Sequence, residues 1–178
     1  MLQRSLMFVF LSSFAAALPV LAQSVENDTY KDASGVQFAV PPNWTVVSRA
    51  PASAGAHTIL LRDSVTNVIG NVWIKSRKVD PEAIPALMSR RLDSKLAQRN
   101  NFEGYKYRAD SIQNTTIGGR PALTAIADYT RGGKAMVEYL TWVDGEKSRV
   151  AFSARMPASD LADFEGRFDA VIQSAVVP

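Results

Sequence analysis

The sequence predicts an α+β protein in which one mainly antiparallel β-sheet is covered by helices on both faces. Segments with the two-residue alternation of β-strands fill most of residues 36–156 and are separated by short turns, which favours antiparallel neighbours. Two segments with helical spacing, at residues 84–98 and 159–172, each supply one amphipathic helix. Residues 136–143 are apolar on both sides of a strand, so each face of the sheet needs a cover.

The first half of the chain alternates in the manner of half-buried strands. Strands are predicted over residues 36–40, 44–49, 57–62 and 68–75. In the first of them, Val36, Phe38 and Val40 occupy alternate positions. Pro41 ends that strand because proline has no amide proton to donate to a β-ladder.

Helical spacing replaces alternation in the middle of the chain. Apolar residues recur there at three- and four-residue intervals, at Ile84, Leu87, Met88, Leu92 and Leu96. Asp80 and Pro81 precede the segment in the manner of a cap followed by a first-turn proline. Pro85 is unfavourable in a helix interior, so the regular helix is predicted to begin near Ile84 and to end near Gln98.

The second half predicts a meander closed by a helix. An extended segment over residues 105–116 is followed by strands over 122–130, 136–143 and 147–156, with glycine turns at 117–121, 131–134 and 144–145. Ser159 is predicted to cap the last helix, with Asp160 and Asp163 favourable in its first turn. The apolar stripe of that helix consists of Leu161, Phe164, Phe168, Val171 and Ile172.

The N-terminal residues have the pattern of a secretory signal peptide. Arg4 provides a positive start, residues 6–18 are mainly apolar, and Ala22 fits the small-residue rule for cleavage before Gln23. The apolar run is shorter than the roughly 20 residues of a membrane span, so no transmembrane anchor is expected. We therefore predict a signal peptide over residues 1–22, a flexible segment over 23–29, a single domain over 30–178, and a soluble periplasmic or secreted product.

Composition excludes several classes of function. The chain has no cysteine, so it has no disulfide and no thiolate site. Its formal net charge of +3 is too small to indicate a nucleic-acid partner. The hydrophobic fraction of 47% is sufficient for a core without disulfides.

Three parts of the sequence resemble a known family. The run GVQFAVPPNW from Gly35 to Trp44 resembles the opening of PsbP-like domains, the family that includes bacterial DcrB-type envelope proteins. The IGGRPA turn at residues 117–122 and the closing strand pair and helix are similar as well. The resemblance implies an α-β-α sandwich around an antiparallel sheet and no shared catalytic residues. Because members with known roles bind proteins, it also implies a binding role.

The residues that usually carry catalysis or bind metals are few. His57 is the only histidine, and we interpret it as a strand residue rather than a catalytic base because no nucleophile or charged partner is evident beside it. Asp160 and Asp163 suit a helix start better than a calcium site, since no calcium-binding loop pattern surrounds them. The sequence therefore predicts no catalytic residue, no cofactor and no metal site.

The three tryptophans have two interpretations. Trp44, Trp73 and Trp142 all lie in predicted strands or beside a strand end, where aromatic side chains usually fill a core. An exposed ring among them would instead provide a stacking platform for a sugar. Core filling is the preferred interpretation.

One charged pattern is a candidate partner site. Arg91, Lys95 and Arg99 follow one another at four-residue spacing and line one side of the predicted first helix. This basic stripe is either a solvated face or a patch for an anionic partner: an acidic protein, lipid headgroups or a cell-wall polymer. The docking interpretation requires all three side chains to be exposed.

The leading functional hypothesis is an exported, non-enzymatic binding or accessory protein of the cell envelope. Its partner would be a protein or an anionic envelope component, not nucleic acid. The alternatives are a periplasmic carrier of a small apolar ligand and, third, a hydrolytic enzyme. The sequence leaves the identity of the partner and the oligomeric state open.

Overall fold

The computed structural model describes residues 25–26, 28–50, 56–76, 83–92 and 101–178. An eight-stranded, antiparallel sheet contains β4 (Trp44–Ala50), β5 (Ala56–Asp63), β6 (Ile69–Ser76), β7 (Glu103–Tyr107), β8 (Gln113–Ile117), β9 (Arg120–Arg131), β10 (Lys134–Asp144) and β11 (Ser148–Pro157). A smaller antiparallel sheet contains β1 (Val25–Glu26), β2 (Thr29–Lys31) and β3 (Gln37–Ala39). The helices are α1 (Ile84–Leu92) and α2 (Leu161–Gln173).

Tight hairpins set the order of β9, β10 and β11, whereas β6 pairs with β11, and β7 with β9, across longer connections. The large sheet runs β4-β5-β6-β11-β10-β9-β7, and β8 pairs with the other half of the β9 edge. Two-residue glycine turns join β8 to β9 and β9 to β10, and all four of these glycines have positive φ, which glycine adopts without a steric penalty. The predicted α+β class with a mainly antiparallel sheet is therefore confirmed.

The two faces of the large sheet bury separate cores, as the pattern of β10 predicts. Val137, Tyr139 and Val143 lie on the face covered by α2 and the smaller sheet, hereafter the α2 face. Leu140 and Trp142 lie on the opposite face, where Ile84 and Leu87 of α1 cover them, hereafter the α1 face. The apolar stripe predicted for the closing helix is fully buried and is the main contribution of α2 to the core.

Several predicted details differ in the structure. Ser159 does not cap α2, because a 3-10 turn (Ala158–Asp160) precedes the helix and the Ser159 hydroxyl donates instead to the Asp160 carboxylate at 2.8 Å. A second 3-10 turn (Ala109–Ser111) breaks the segment predicted to be extended over residues 105–116. The segment predicted to be flexible contains β1, which pairs with β2, and its flexibility stays a prediction.

The remainder of the predicted first helix, residues 93–98, lies outside the described residues, as do the predicted signal peptide and its cleavage site. Within the described part, α1 begins at Ile84, where the sequence places the helix start. No helix among the described residues is long and apolar enough to cross a membrane.

The last residues of the chain are packed into the fold. Val176 and Gln37 exchange backbone hydrogen bonds at 2.8 and 3.0 Å, which adds the chain end to the edge of β3. Val177 is buried, and its carbonyl accepts a hydrogen bond from Arg120 Nε at 3.1 Å. A Cβ on Gly145 would lie 2.2 Å from the Pro178 carbonyl oxygen, so the predicted hairpin glycine is required for this close approach.

Candidate functional site

The basic stripe is only partly within the described structure. Position 91 belongs to the last turn of α1, while Lys95 and Arg99 lie outside the described residues. Among the residues of α1 whose burial is described, Ile84 and Leu87 are buried and Pro85, Ala86 and Ser89 are exposed. The exposure of the stripe therefore stays a prediction.

A buried carboxylate lies at the centre of a polar cluster on the α1 face. Glu138 of β10 is 1% exposed, and it follows from strand alternation that it lies on the same face as Leu140 and Trp142. Its Oε2 accepts a hydrogen bond from the Tyr105 hydroxyl at 2.7 Å, and its Oε1 accepts one from Arg155 Nε at 2.8 Å. Two different residues therefore satisfy the two oxygens.

Aromatic rings surround this carboxylate and its arginine. The Arg155 guanidinium lies over the Phe102 ring, 4.9 Å from its centroid, in cation–π geometry. Phe102 contacts Tyr129 at a centroid distance of 4.2 Å and stacks on Tyr105 at 5.7 Å. We call Glu138, Arg155, Phe102, Tyr105 and Tyr129 the Glu138 cluster.

One polar atom of the Glu138 cluster is unsatisfied. The Tyr129 hydroxyl is buried and has no hydrogen-bond partner among the described residues. Burial raises the pKa of this hydroxyl, while the charges of Arg155 and Arg131 oppose the rise and that of Glu138 adds to it. The hydroxyl therefore stays protonated at neutral pH.

A cleft of about 410 Å³ opens beside β7, at the end of the β9–β10 hairpin. We call it the β7 cleft; its lining residues are Glu103, Gly104, Lys106, Asp128, Tyr129, Thr130, Ala135, Met136 and Ala158. The pairing of β7 with β9 is irregular here, between Glu103 and Lys106, so the edge strand bulges at the cleft. Acidic and basic side chains and a hydroxyl group line the cleft.

Asp128 anchors the wall of the β7 cleft. Arg108 Nε and Nη2 donate to its carboxylate at 3.0–3.1 and 2.7 Å. The hydrogen bond from Arg108 lowers the pKa of Asp128 more than burial raises it. A carboxylate held in this way stays ionised and suits binding better than proton transfer.

A second polar contact on the α2 face holds the last helix to the sheet. The hydroxyl of Tyr139 in β10 donates a hydrogen bond to Asp169 of α2. Burial raises the pKa of Tyr139, and the hydrogen bond to Asp169 raises it further. Tyr139 is 3% exposed, so this pair is structural rather than part of an accessible site.

His57 has a charged neighbour that the sequence did not indicate. Its Nδ1 lies 3.9 Å from the carboxylate of Asp32, a buried residue that follows β2. Asp32 also accepts hydrogen bonds from the Ser34 amide at 2.7 Å and the Tyr30 hydroxyl at 3.4 Å. The pair joins the smaller sheet to β5.

The remaining candidate residues have structural surroundings. Trp44 and Trp142 are each 4% exposed, as core filling requires, while Trp73 is half-buried. Asp163 lies in the first turn of α2, and Asp160 occupies its N-cap position. No group of three or more His, Cys, Asp or Glu residues in the described part of the chain is arranged to hold a metal ion.

Comparison with known proteins shows the fold. The structure is similar to the solution structure of cyanobacterial PsbP (CyanoP) from Synechocystis sp. PCC 6803, with a TM-score of 0.60 and 16% sequence identity over 94% of this chain and 100% of CyanoP. The chain thus has the PsbP-like α+β fold that the sequence motifs implied. No protein-family model matches the sequence, and no curated protein matches it either.

Two further solved structures are more distant. PA94 from Pseudomonas aeruginosa, a protein of unknown function described as a putative regulator, has a TM-score of 0.44 and 16% identity over 80% of this chain and 90% of its own. LpqN of Mycobacterium tuberculosis, described as involved in cell envelope biogenesis, has a TM-score of 0.48 and 16% identity over 80% of this chain and 83% of its own. With TM-scores below 0.5, neither supports an inference about this chain.

Sequence reasoning missed the Glu138 cluster and the β7 cleft. Glu138 is a single charged residue in a strand that is apolar on both sides, and Arg155 lies at a polar position of an alternating strand, so no motif in the sequence joins the two. The available signal was the aromatic density of residues 102–107, which contain Phe102, Tyr105 and Tyr107 within six positions. That density predicts a local aromatic cluster but not its buried carboxylate.

Proposed function

We propose that this chain is an exported, non-enzymatic binding or accessory protein of the cell envelope and that the β7 cleft is its partner site. The observation that carries the proposal is the lining of the cleft, in which Glu103, Lys106 and Asp128 supply both charge signs and Thr130 supplies a hydroxyl. The volume of about 410 Å³ is within the range of ligand sites in proteins, roughly 300–1,000 Å³.

The lining favours a polar partner over a small apolar ligand. An apolar ligand would strip water from the charged groups of Glu103 and Lys106 without replacing their hydrogen bonds, which is costly. A partner with its own backbone and side-chain hydrogen-bonding groups would replace those bonds. The carrier hypothesis therefore has less support than the accessory hypothesis.

Filling the β7 cleft tests its role. Ala135 is exposed at the cleft, so Ala135→Trp should occupy the space with little effect on the core. Ala170, which is exposed further along α2, provides the matched control Ala170→Trp. We expect wild type and the control to capture the same component from an envelope extract in cross-linked pull-downs, and Ala135→Trp to lose it. Identical capture by all three proteins would contradict the proposal.

The basic stripe is a second proposed contact with an anionic partner. Changing Arg91, Lys95 and Arg99 together to Gln should weaken binding to anionic vesicles at low salt, while added salt should weaken the wild-type interaction. Surface substitutions usually change the free energy of unfolding by only about 0.5 kcal/mol. Equal vesicle binding by both proteins would reduce the stripe to a solvated face, and loss of folding would mean that its residues contact the sheet.

Export is proposed from the N-terminal sequence pattern. We expect the protein recovered from the periplasmic fraction to begin at Gln23, because Val20 and Ala22 are the small residues that precede cleavage. N-terminal sequencing measures this. A chain that retains Met1 in that fraction would contradict cleavage.

A further inference from the structure

Arg155 forms fewer hydrogen bonds to its carboxylate than three other ion-paired arginines do. Arg108, Arg149 and Arg167 each donate to a carboxylate through both Nε and Nη2. Arg155 donates to Glu138 through Nε alone, since the Tyr105 hydroxyl donates to the other carboxylate oxygen. Its Nη1 and Nη2 groups engage no other described residue.

The guanidinium of Arg155 is nevertheless held in one orientation. The hydrogen bond to buried Glu138 fixes its inner edge, and the Phe102 ring supports its plane at 4.9 Å. The side chain is 36% exposed, so the outer edge faces solvent. A fixed guanidinium that presents two free amino groups has the geometry for two-point recognition of an oxyanion.

Two further cations lie at the same corner of the α1 face. Arg131 follows Tyr129 by two positions in β9, and Lys134 precedes Met136 by two and Glu138 by four in β10, so strand alternation places both on this face. Both are exposed, and neither is paired with a described carboxylate. Arg131 and Lys134 therefore add positive charge to the face that carries Arg155, whose own carboxylate partner is already satisfied.

The unsatisfied Tyr129 hydroxyl is an independent sign that a polar partner is missing here. The charged groups that act on it are Arg155, Glu138 and Arg131, which places it at the same corner. A buried hydroxyl without a partner is unfavourable, because it has lost its hydrogen bonds to water and has gained none in the protein. An oxyanion bound at this corner supplies acceptor oxygens.

We propose that Arg155, with Arg131 and Lys134, forms a binding site for a phosphate group. The excess of cations over carboxylates favours a phosphate dianion over a single carboxylate, and the free Nη1 and Nη2 groups match two phosphate oxygens. Glu138, Phe102 and Tyr105 are positioning residues, since they hold the guanidinium without reaching the anion. The site differs from the β7 cleft, whose Lys106, Asp128 and Thr130 are on the α2 face, and Tyr129 is the residue that the two have in common.

Side-chain NMR tests the site directly. The Arg155 Nε–H is protected by its bond to Glu138, so its cross-peak can be followed during titration with inorganic phosphate. We expect a saturable shift, with acetate at equal ionic strength binding about tenfold more weakly. Glycerol phosphate and phosphatidylglycerol vesicles, with phosphatidylcholine as the neutral comparison, distinguish a free phosphate ester from a lipid headgroup. Binding of either glycerol phosphate or the phosphatidylglycerol vesicles supports the proposal and shows which kind of phosphate group the site accepts.

Matched variants separate this site from general charge attraction. Arg155→Gln should weaken phosphate binding about tenfold, and Arg155→Lys should do nearly the same because it lacks the planar fork. The double change Arg131→Gln and Lys134→Gln leaves the Glu138 pair intact and should weaken binding about twofold to fivefold. Arg62 is exposed without a described charged partner, so Arg62→Gln is the control and should bind as wild type does.

Three results would overturn the proposal: a phosphate titration without saturation, wild-type affinity in Arg155→Lys and the double variant, or an equal loss in Arg62→Gln. If Arg155→Gln does not fold because Glu138 has lost its partner, Arg155→Lys and the double variant still decide the matter.

Discussion

Single buried charges join parts of this chain that are far apart in sequence. Asp63, at the end of β5, has a fully buried side chain and accepts hydrogen bonds from Thr66 Oγ1 at 2.7 Å and from Arg167 of α2 at 2.8 and 3.1 Å. Burial raises the pKa of Asp63, but the hydrogen bonds from Arg167, Thr66 and the Val65 amide outweigh it and hold the pKa below its ordinary value. One carboxylate therefore fixes both the β5–β6 turn and the position of α2.

Acidification should remove the stabilisation that the ionised Asp63 provides. Because the pKa of Asp63 is lower in the folded than in the unfolded chain, its contribution to stability is present above the unfolded value near 4 and is lost as pH falls through the folded value. Asp63→Asn should lower the free energy of unfolding by about 2–3 kcal/mol at neutral pH and should flatten the acid slope. Urea unfolding at pH 7 and between pH 5 and 3 measures both effects. A variant slope as steep as that of wild type would contradict the assignment.

The burial of such charged residues could not be predicted from the sequence. Alternation assigns Glu138 and Arg149 to polar strand positions, yet they are 1% and 2% exposed. Their burial depends on partners, Arg155 and Tyr105 for the first and Asp144 for the second, that only strand register brings together. Alternation shows which face of a strand a residue occupies, but it does not give the register of the β10–β11 hairpin or the irregular pairing of β7, so the candidate phosphate site could not be predicted.

At the scale of elements, one glycine in the sheet allows α2 to pack closely against it. Gly70 of β6 lies under the Phe168 ring, and a Cβ added there would be 2.8 Å from a ring carbon. Phe168 in turn contacts Trp44 at 5.6 Å and Phe164 at 5.0 Å between ring centroids. The ring cannot move away from the sheet without disturbing the centre of the larger core.

Two glycine-to-alanine changes should therefore have opposite effects. Gly70→Ala should destabilise the protein by about 1–3 kcal/mol because it overpacks the Phe168 contact. Gly166 is exposed within α2 and a Cβ there meets nothing within 4 Å, so Gly166→Ala should stabilise by about 0.5–1 kcal/mol. Thermal unfolding followed by circular dichroism compares the two. Shifts of the same sign would mean that the packing of α2 is misassigned.

Elements with strong periodicity were predictable, and short ones were not. The five apolar positions of α2 and the two faces of β10 follow directly from the sequence. The smaller sheet does so only in part: β3 lies within the strand predicted over residues 36–40, whereas β1 and β2 have only two and three residues, too few for alternation to be read. The 3-10 turn before α2 also overrides the cap expected at Ser159, because Pro157 and the register of β11 set where the chain turns.

At the scale of the molecule, the chain end closes the larger core. Ala175 and Val177 are 1% and 2% exposed, whereas Val176 between them is 52% exposed. The segment is held between β3, the β8–β9 turn and the β10–β11 turn. In the β8–β9 turn, a Cβ on Gly118 would lie 2.5 Å from the Ala175 carbonyl oxygen. The terminal residues are thus part of the domain rather than an appendage.

Two neighbouring valines test this arrangement. Val177→Ala should lower the free energy of unfolding by about 1.5–3 kcal/mol because it opens a cavity between the sheets. Val176→Ala should change it by no more than about 0.5 kcal/mol, since that side chain faces solvent. Denaturant titration of both variants is the measurement. Equal costs would show that the chain end is not seated as described.

The pairing of Gln37 with Val176 also constrains the order in which the chain folds. Ala39 and Ser174, which are bonded next to this bridge, are 135 residues apart, so the contact closes a very long loop and forms late. The meander of β9, β10 and β11 joins sequence neighbours and can form much earlier. Until synthesis reaches Val176, the outer edge of β3 has no partner and offers its backbone to other chains. A chain in which this pairing has not yet formed is therefore open to misassociation at β3, and the pairing of Val176 with Gln37 ends that exposure.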